Sequence, residues 1–148
     1  MQIDKEGIRR LIPHSGAMCL LDGVTFWDAE RIECVASTHL ARGNPLRVDG
    51  HLLGVHLIEY GAQAIAVHGG LLAPVKRRSF KPGYLAAIAD AHFYVDTLAA
   101  VSSELHVEAK ALMRSEAGVV YTIEVSSKEK GSLAEARATV VFIRDESQ

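Results

Sequence analysis

The chain has 148 residues, of which 49% are apolar, 23% charged and 6% aromatic. That is enough for one packed domain, too little for two, and no composition for disorder. Sixteen Lys and Arg against eighteen Asp and Glu give a net charge of -2, which excludes the strongly basic surface of a nucleic-acid binder.

The cysteines, Cys19 and Cys34, are too few for a disulfide framework and read as buried thiols of a reducing cytoplasm. The start, Met1 to Glu6, has no basic-then-apolar signal peptide. The longest run without Asp, Glu, Lys or Arg is Tyr60 to Val75, 16 residues broken by His, Gln, Gly and Pro, which argues against a membrane span. These features predict a single cytoplasmic domain over residues 1–148, with no membrane and no nucleic acid among its partners.

Asp4 is placed to cap a short helix over Asp4 to Leu11, with Ile8, Leu11 and Ile12 at helical spacing and Pro13 to end it. Met18 to Trp27 is an apolar run that predicts a strand, and Glu30 to Leu40 alternates around Ile32, Cys34, Ala36 and Thr38 as a second. Gly43, Asn44, Pro45, Asp49 and Gly50 make residues 41–50 a loop. Gly54 to His68 is the most helical segment, apolar on nearly every side and therefore buried, with Gly69-Gly70 as its stop. After the basic residues Lys76, Arg77, Arg78 and Lys81, four segments read as strands: Tyr84 to Val95, Ser103 to Met113, Val119 to Lys128 and Leu133 to Ile143. Consecutive strands imply antiparallel pairing, so the expected class is α+β, an antiparallel sheet of five to six strands curled around one long central helix. Its edge strand needs covering, which points to an oligomer.

On that helix His56, Glu59 and Gln63 stand at i, i+3 and i+7 and share one face. Glu59 lies between Ile58 and Tyr60, where desolvation favours its neutral, proton-donating form. A structural Glu held by its neighbours is the alternative. His14 follows Pro13 in a loop, and His51 sits in the Gly-rich approach to the helix, whose first N–H groups could hold an oxyanion. His68 is placed at the helix end, and His39, His92 and His106 on strands. No zinc spacing, nucleophile elbow, phosphate loop or dinucleotide fingerprint is present. The sequence therefore offers no metal site. The basic loop reads equally as an ordinary solvated segment or as a contact for a carrier protein.

Ile8 to Val24, with its Leu-Ile-Pro-His and a following apolar run to Asp22, resembles the start of the hotdog-fold β-hydroxyacyl-(acyl carrier protein) dehydratases. Gly54-Val55-His56-Leu57-Ile58-Glu59-Tyr60-Gly61-Ala62-Gln63 is similar to their central helix, and Tyr84 to Phe93 to the strand after it. The matches run in order over nearly the whole chain, nearest to the dehydratases associated with aryl polyene synthesis. The resemblance implies one hotdog domain that converts a β-hydroxyacyl thioester to the trans-2-enoyl thioester without metal or cofactor. The substrate would be carried on phosphopantetheine of an acyl carrier protein, or on CoA.

In that scheme a His removes the α-proton, Glu59 protonates the leaving hydroxyl, Gly54 or Val55 supplies a backbone N–H to the thioester carbonyl, and Gln63 supports Glu59. The family's base lies in a Gly-His-Phe-Pro-Gly motif fourteen residues before the carboxylate, and that count lands here on Pro45. Gly50-His51-Leu52-Leu53-Gly54 imitates the motif only eight residues before Glu59. His14 is the first candidate base and His51 the second. Hotdog thioester hydrolysis is one alternative. A non-catalytic subunit paired with an active dehydratase is another, so the expected assembly is a homodimer, a higher oligomer or a heteromer.

Overall fold

The computed structural model describes residues 2–12, 16–73 and 83–142. Strand β1 (Ile3–Asp4) leads into helix α1 (Lys5–Leu11), where the Asp4 side chain accepts from Gly7 N at 2.9 Å, the cap expected of it. Then come β2 (Gly23–Trp27), β3 (Arg31–Ala36), a 3-10 turn at Gly54–His56 running into helix α2 (Leu57–Leu72), and the strands β4 (Gly83–Phe93), β5 (Leu105–Arg114), β6 (Gly118–Ser127) and β7 (Gly131–Phe142). All strand pairs are antiparallel, in one sheet of order β1-β2-β3-β5-β6-β7-β4. Among the described residues seven strands exceed the expected five to six, the two-residue β1 among them.

Alternation in β5 and β6 sends Leu105, Val107, Ala109, Val119, Tyr121, Ile123 and Val125 inward, where they meet Leu57, Tyr60, Ala64 and Val67 of α2. The helix lies close to the sheet at Gly61, where a Cβ would stand 2.3 Å from Ile123 Cγ2. This is the hotdog arrangement.

Three boundaries differ from expectation by four residues or more. The segment expected to open a strand at Met18 instead makes a 3-10 turn at Gly16–Met18, and β2 begins only at Gly23. In the irregular residues 19–22, Lys5 Nζ donates to the carbonyls of Cys19 at 2.9 Å and Leu21 at 3.0 Å and to the Asp22 carboxylate at 3.0 Å, and the Leu20 carbonyl accepts from Thr38. Helix α2 also runs through Gly69-Gly70 to Leu72, with Gly70 backed against Leu11. His68 is therefore inside the helix rather than at its end. It is fully buried, its Nδ1 2.7 Å from Tyr121 OH and its Nε2 2.8 Å from Asp28 O. A carbonyl only accepts, so Nε2 carries the proton and Nδ1 accepts from the tyrosine. Histidine 39 likewise departs from the strand expected: it is buried in a 3-10 turn, Thr38–Leu40.

The outer face of the sheet is charged in rows. Glu33, Glu108, Glu124 and Glu135 stand directly opposite one another across β3, β5, β6 and β7. Partial burial pushes the Glu124 carboxyl up, reinforced by Glu135 and Glu108. The adjacent row holds Arg31, Lys110, Thr122 and Arg137, and its Arg31 reaches Glu108 at 3.7 Å, which offsets part of the repulsion. Beyond β7 the edge strand β4 is exposed along its length, with Tyr84, Leu85 and Ile88 among its open apolar side chains.

Two outcomes follow from this packing. Gly61→Leu should lower unfolding free energy by about 1–3 kcal/mol through overpacking against Ile123, read by urea denaturation. Burial holds the His68 pKa below its usual value, so the unfolded chain takes up a proton first as pH falls below about 6.5. Stability is lost over that window, whereas the raised Glu124 opposes the loss by keeping its proton longer in the folded state. The melting temperature should fall between pH 7 and pH 5.5, and fall less in His68→Gln; equal slopes would count against the neutral buried His68.

Candidate active site

Glu59 stands half-buried in the first turn of α2, with Gln63 one turn further along and 1% exposed. A buried amide needs partners for both ends. Gln63 Oε1 accepts from Leu20 N at 2.9 Å, and Nε2 donates to Met18 O at 2.7 Å and to Glu59 Oε1 at 3.4 Å. These bonds fix the amide orientation, so Gln63 presents a donor, never an acceptor, to Glu59. The irregular stretch around residues 18–22 thus supplies what a strand, already paired on its own ladder, could not.

A second set of bonds lies beside the first. Thr38 Oγ1 donates to Leu20 O at 2.6 Å and meets Tyr60 OH at 2.9 Å. Asn44 Nδ2 donates to Thr38 O at 2.9 Å and to Tyr60 OH at 3.2 Å, while Asn44 Oδ1 accepts from Leu46 N at 2.9 Å. Tyr60 and Asn44 are buried, and burial pushes the Tyr60 hydroxyl above its usual pKa. Sequence reasoning missed Thr38, Asn44 and Tyr60, because a tyrosine in an apolar run and an asparagine in a loop look like core and turn. Their only signal is that a buried Tyr needs a partner for its hydroxyl.

The other expected site residues divide. His56 shares the face of Glu59 but acts as a cap: its Nδ1 accepts from Leu53 N at 2.9 Å. Gly54 is required by close approach, since a Cβ there would stand 2.1 Å from Val95 O. Its N–H already donates to Asp96 O at 2.8 Å, so of the two expected carbonyl donors Val55 is left. His51 is exposed on a tight turn closed by bonds between His51 and Val48, with Asp49 and Gly50 at φ 50 and 83. His14 and the basic residues Lys76 to Lys81 lie outside the described residues. Among the described residues no cluster of three or more His, Cys, Asp or Glu is placed to hold a metal, and no helix is long and apolar enough to cross a membrane.

An acid on a helix turn beside a donor amide is a group that can give or take a proton when a substrate reaches it. A family model described as ApeP dehydratase matches residues 6–148. The chain belongs to the ApeP-like dehydratase family. It is also 35% identical over 78 residues to the 3-hydroxyacyl-[acyl-carrier-protein] dehydratase FabZ of Francisella tularensis subsp. novicida, covering 49% of this chain and 47% of FabZ. The match thus spans about half the length of the curated relatives. Among solved structures, a chain of the dehydratase heterocomplex ApeI:P from Xenorhabdus doucetiae superposes with a TM-score of 0.79 at 24% identity, covering 93% of this chain and 91% of that one. A thioesterase from Haemophilus influenzae superposes at 0.69 with 14% identity, covering 100% and 97%. Both show the hotdog fold.

Gln63→Leu keeps the volume but leaves Leu20 N–H and Met18 O buried without their partner. It should cost about 1–3 kcal/mol for each orphaned group, measured as a shift in the urea midpoint at unchanged slope.

Proposed function

We propose that the chain dehydrates a β-hydroxyacyl thioester, carried on phosphopantetheine of an acyl carrier protein or on CoA, to the trans-2-enoyl thioester. The observation that carries this is Glu59, half-buried beside the donor amide of Gln63. Gln63 Nε2 donates to Glu59 Oε1 at 3.4 Å and so helps to orient the carboxyl group. His14 takes the α-proton, the C–O bond breaks as Glu59 protonates the departing hydroxyl, and water leaves as the double bond forms. Val55 N–H, in the first turn where no intrahelical acceptor exists, polarises the thioester carbonyl. Only protons and water move, so the chemistry calls for no metal or redox cofactor.

His14 is preferred to His51 on chain geometry. Met18, four residues after His14, is bonded to Gln63 on the face of Glu59, whereas His51 is exposed on a turn of its own. Support for the substrate class comes from the family and from FabZ. The open edge of β4, with Tyr84 and Leu85 exposed at 58% and 44%, favours assembly with a second subunit. The ApeI:P dehydratase heterocomplex supports a second, different dehydratase chain as that subunit.

The test is the rise of enoyl absorbance with a 3-hydroxyacyl-carrier-protein. Glu59→Gln and His14→Ala should each lower kcat by about 10² to 10⁴, and His51→Ala should stay within about threefold. Release of free thiol in place of the enoyl product would instead identify thioester hydrolysis. Activity confined to mixtures with a second dehydratase would identify a supporting subunit.

A further inference from the structure

We infer that Asn44, Tyr60 and Thr38 are positioning residues for Glu59, acting through the chain around Leu20 and through Gln63. The inference rests on the reading of Glu59 as the acid and adds a role for three residues that do not themselves touch it through the bonds described.

The directions of the bonds can be assigned from donor counts. A threonine hydroxyl has one proton, and that of Thr38 goes to Leu20 O, a pure acceptor at 2.6 Å. In the 2.9 Å contact between Thr38 Oγ1 and Tyr60 OH the tyrosine must then donate. The Tyr60 oxygen accepts in turn from Asn44 Nδ2. The result is a one-way chain: Asn44 N–H to Tyr60 O–H to Thr38 O–H to Leu20 C=O. Bonds aligned in one direction polarise and strengthen one another. On its other side Leu20 donates its N–H to Gln63 Oε1 at 2.9 Å, and that bond turns the Gln63 N–H groups toward Met18 O and Glu59.

The chain fixes Glu59 from two directions. Tyr60 follows Glu59 in the helix, and its ring is wholly buried with the hydroxyl clamped to the 38–44 loop, so the first turn of α2 cannot rotate about its axis. The Leu20 backbone, held by Thr38, holds Gln63, and Gln63 holds Glu59 Oε1. Asn44 closes the far end with every polar group used, Nδ2 on Thr38 O and Tyr60 OH and Oδ1 on Leu46 N. Arg47 braces the loop behind it, donating to Ala41 O at 2.8 Å, to His39 O at 3.2 Å and to Gly50 O. The protons of Thr38, Tyr60 and Asn44 are all committed to bonds within the protein. Their geometry serves only to hold others.

The test uses the full chain with 3-hydroxyacyl-carrier-protein as probe and amide hydrogen exchange by NMR as a second readout. Tyr60→Phe, Thr38→Val and Asn44→Ala should each lower kcat by about 10-fold to 100-fold, as a misplacement remote from the chemistry does, with KM within about twofold. Thr38→Ser should restore kcat. The Leu20 amide should exchange at least about tenfold faster in Tyr60→Phe while amides of β5 and β6 keep their protection. Tyr60→Phe removes a single oxygen and carries the test if Asn44→Ala fails to fold. Unchanged Leu20 exchange in Tyr60→Phe would overturn the inference, as would a change confined to KM, and exchange decides the geometry whether or not turnover is seen. Full activity in Glu59→Gln would remove the acid itself. An inert Glu59→Gln beside an undiminished Tyr60→Phe would overturn the positioning role alone.

Discussion

Helix α2 presents Leu, Ile, Ala, Tyr and Val on nearly every side, and a helix of that kind gains its stability only by being surrounded. A flat sheet covers one side. The sheet must therefore curl, sending the inward residues of β3, β5, β6 and β7 against the helix and turning its charged rows outward. The close passage of Gly61 past Ile123 sets how tightly it curls. The same wrapping decides the fate of every polar group on the helix, because water is excluded from most of its circumference. His68 finds a tyrosine hydroxyl and a carbonyl, and Gln63 finds an N–H and a carbonyl. Unpaired, each would cost several times what its bonds contribute.

That requirement explains where the site lies. Paired strands use their backbone groups on one another and have none to offer a helix. Irregular chain can offer backbone groups to a buried amide, and two such stretches pass the first turns of α2: residues 16–22, where Lys5 takes the Cys19 and Leu21 carbonyls, and residues 37–54, braced by Arg47. Glu59 sits where these stretches converge.

Sequence pattern made the large elements legible. Val, Ile, Tyr and Ala content marked β5 and β6 as strands, continuous apolarity marked α2 as central, and Asp4 marked the start of α1. Glu59 and Gln63 were legible as a shared face because helical spacing alone puts them there. What pattern could not show was which neighbour each polar group finds. His56 has the right spacing and the wrong role, since Leu53 N takes its ring nitrogen. Gly54 looks like an oxyanion donor until Asp96 O is seen to occupy its N–H. Gly69-Gly70 reads as a helix stop, but packing against Leu11 continues the helix across it. For the two glycine sites a contact distant in sequence overrides a local preference, and for His56 a cap three residues back takes the ring.

The loop before α2 shows how such contacts redistribute chemistry. In the dehydratases this chain resembles, a base lies fourteen residues before the acid, and here that count falls on Pro45, beside Asn44. An amide cannot take up a proton at neutral pH, and Asn44 already spends its donors on Thr38 and Tyr60 and its oxygen on Leu46. Asn44 thus holds a scaffold bond where the resemblance puts proton abstraction. If proton abstraction is to remain on this chain, it falls to a histidine that does not stand at that count. Met18 O and Leu20 N both bond Gln63, so the same glutamine that meets the acid also ties it to residues 16–22.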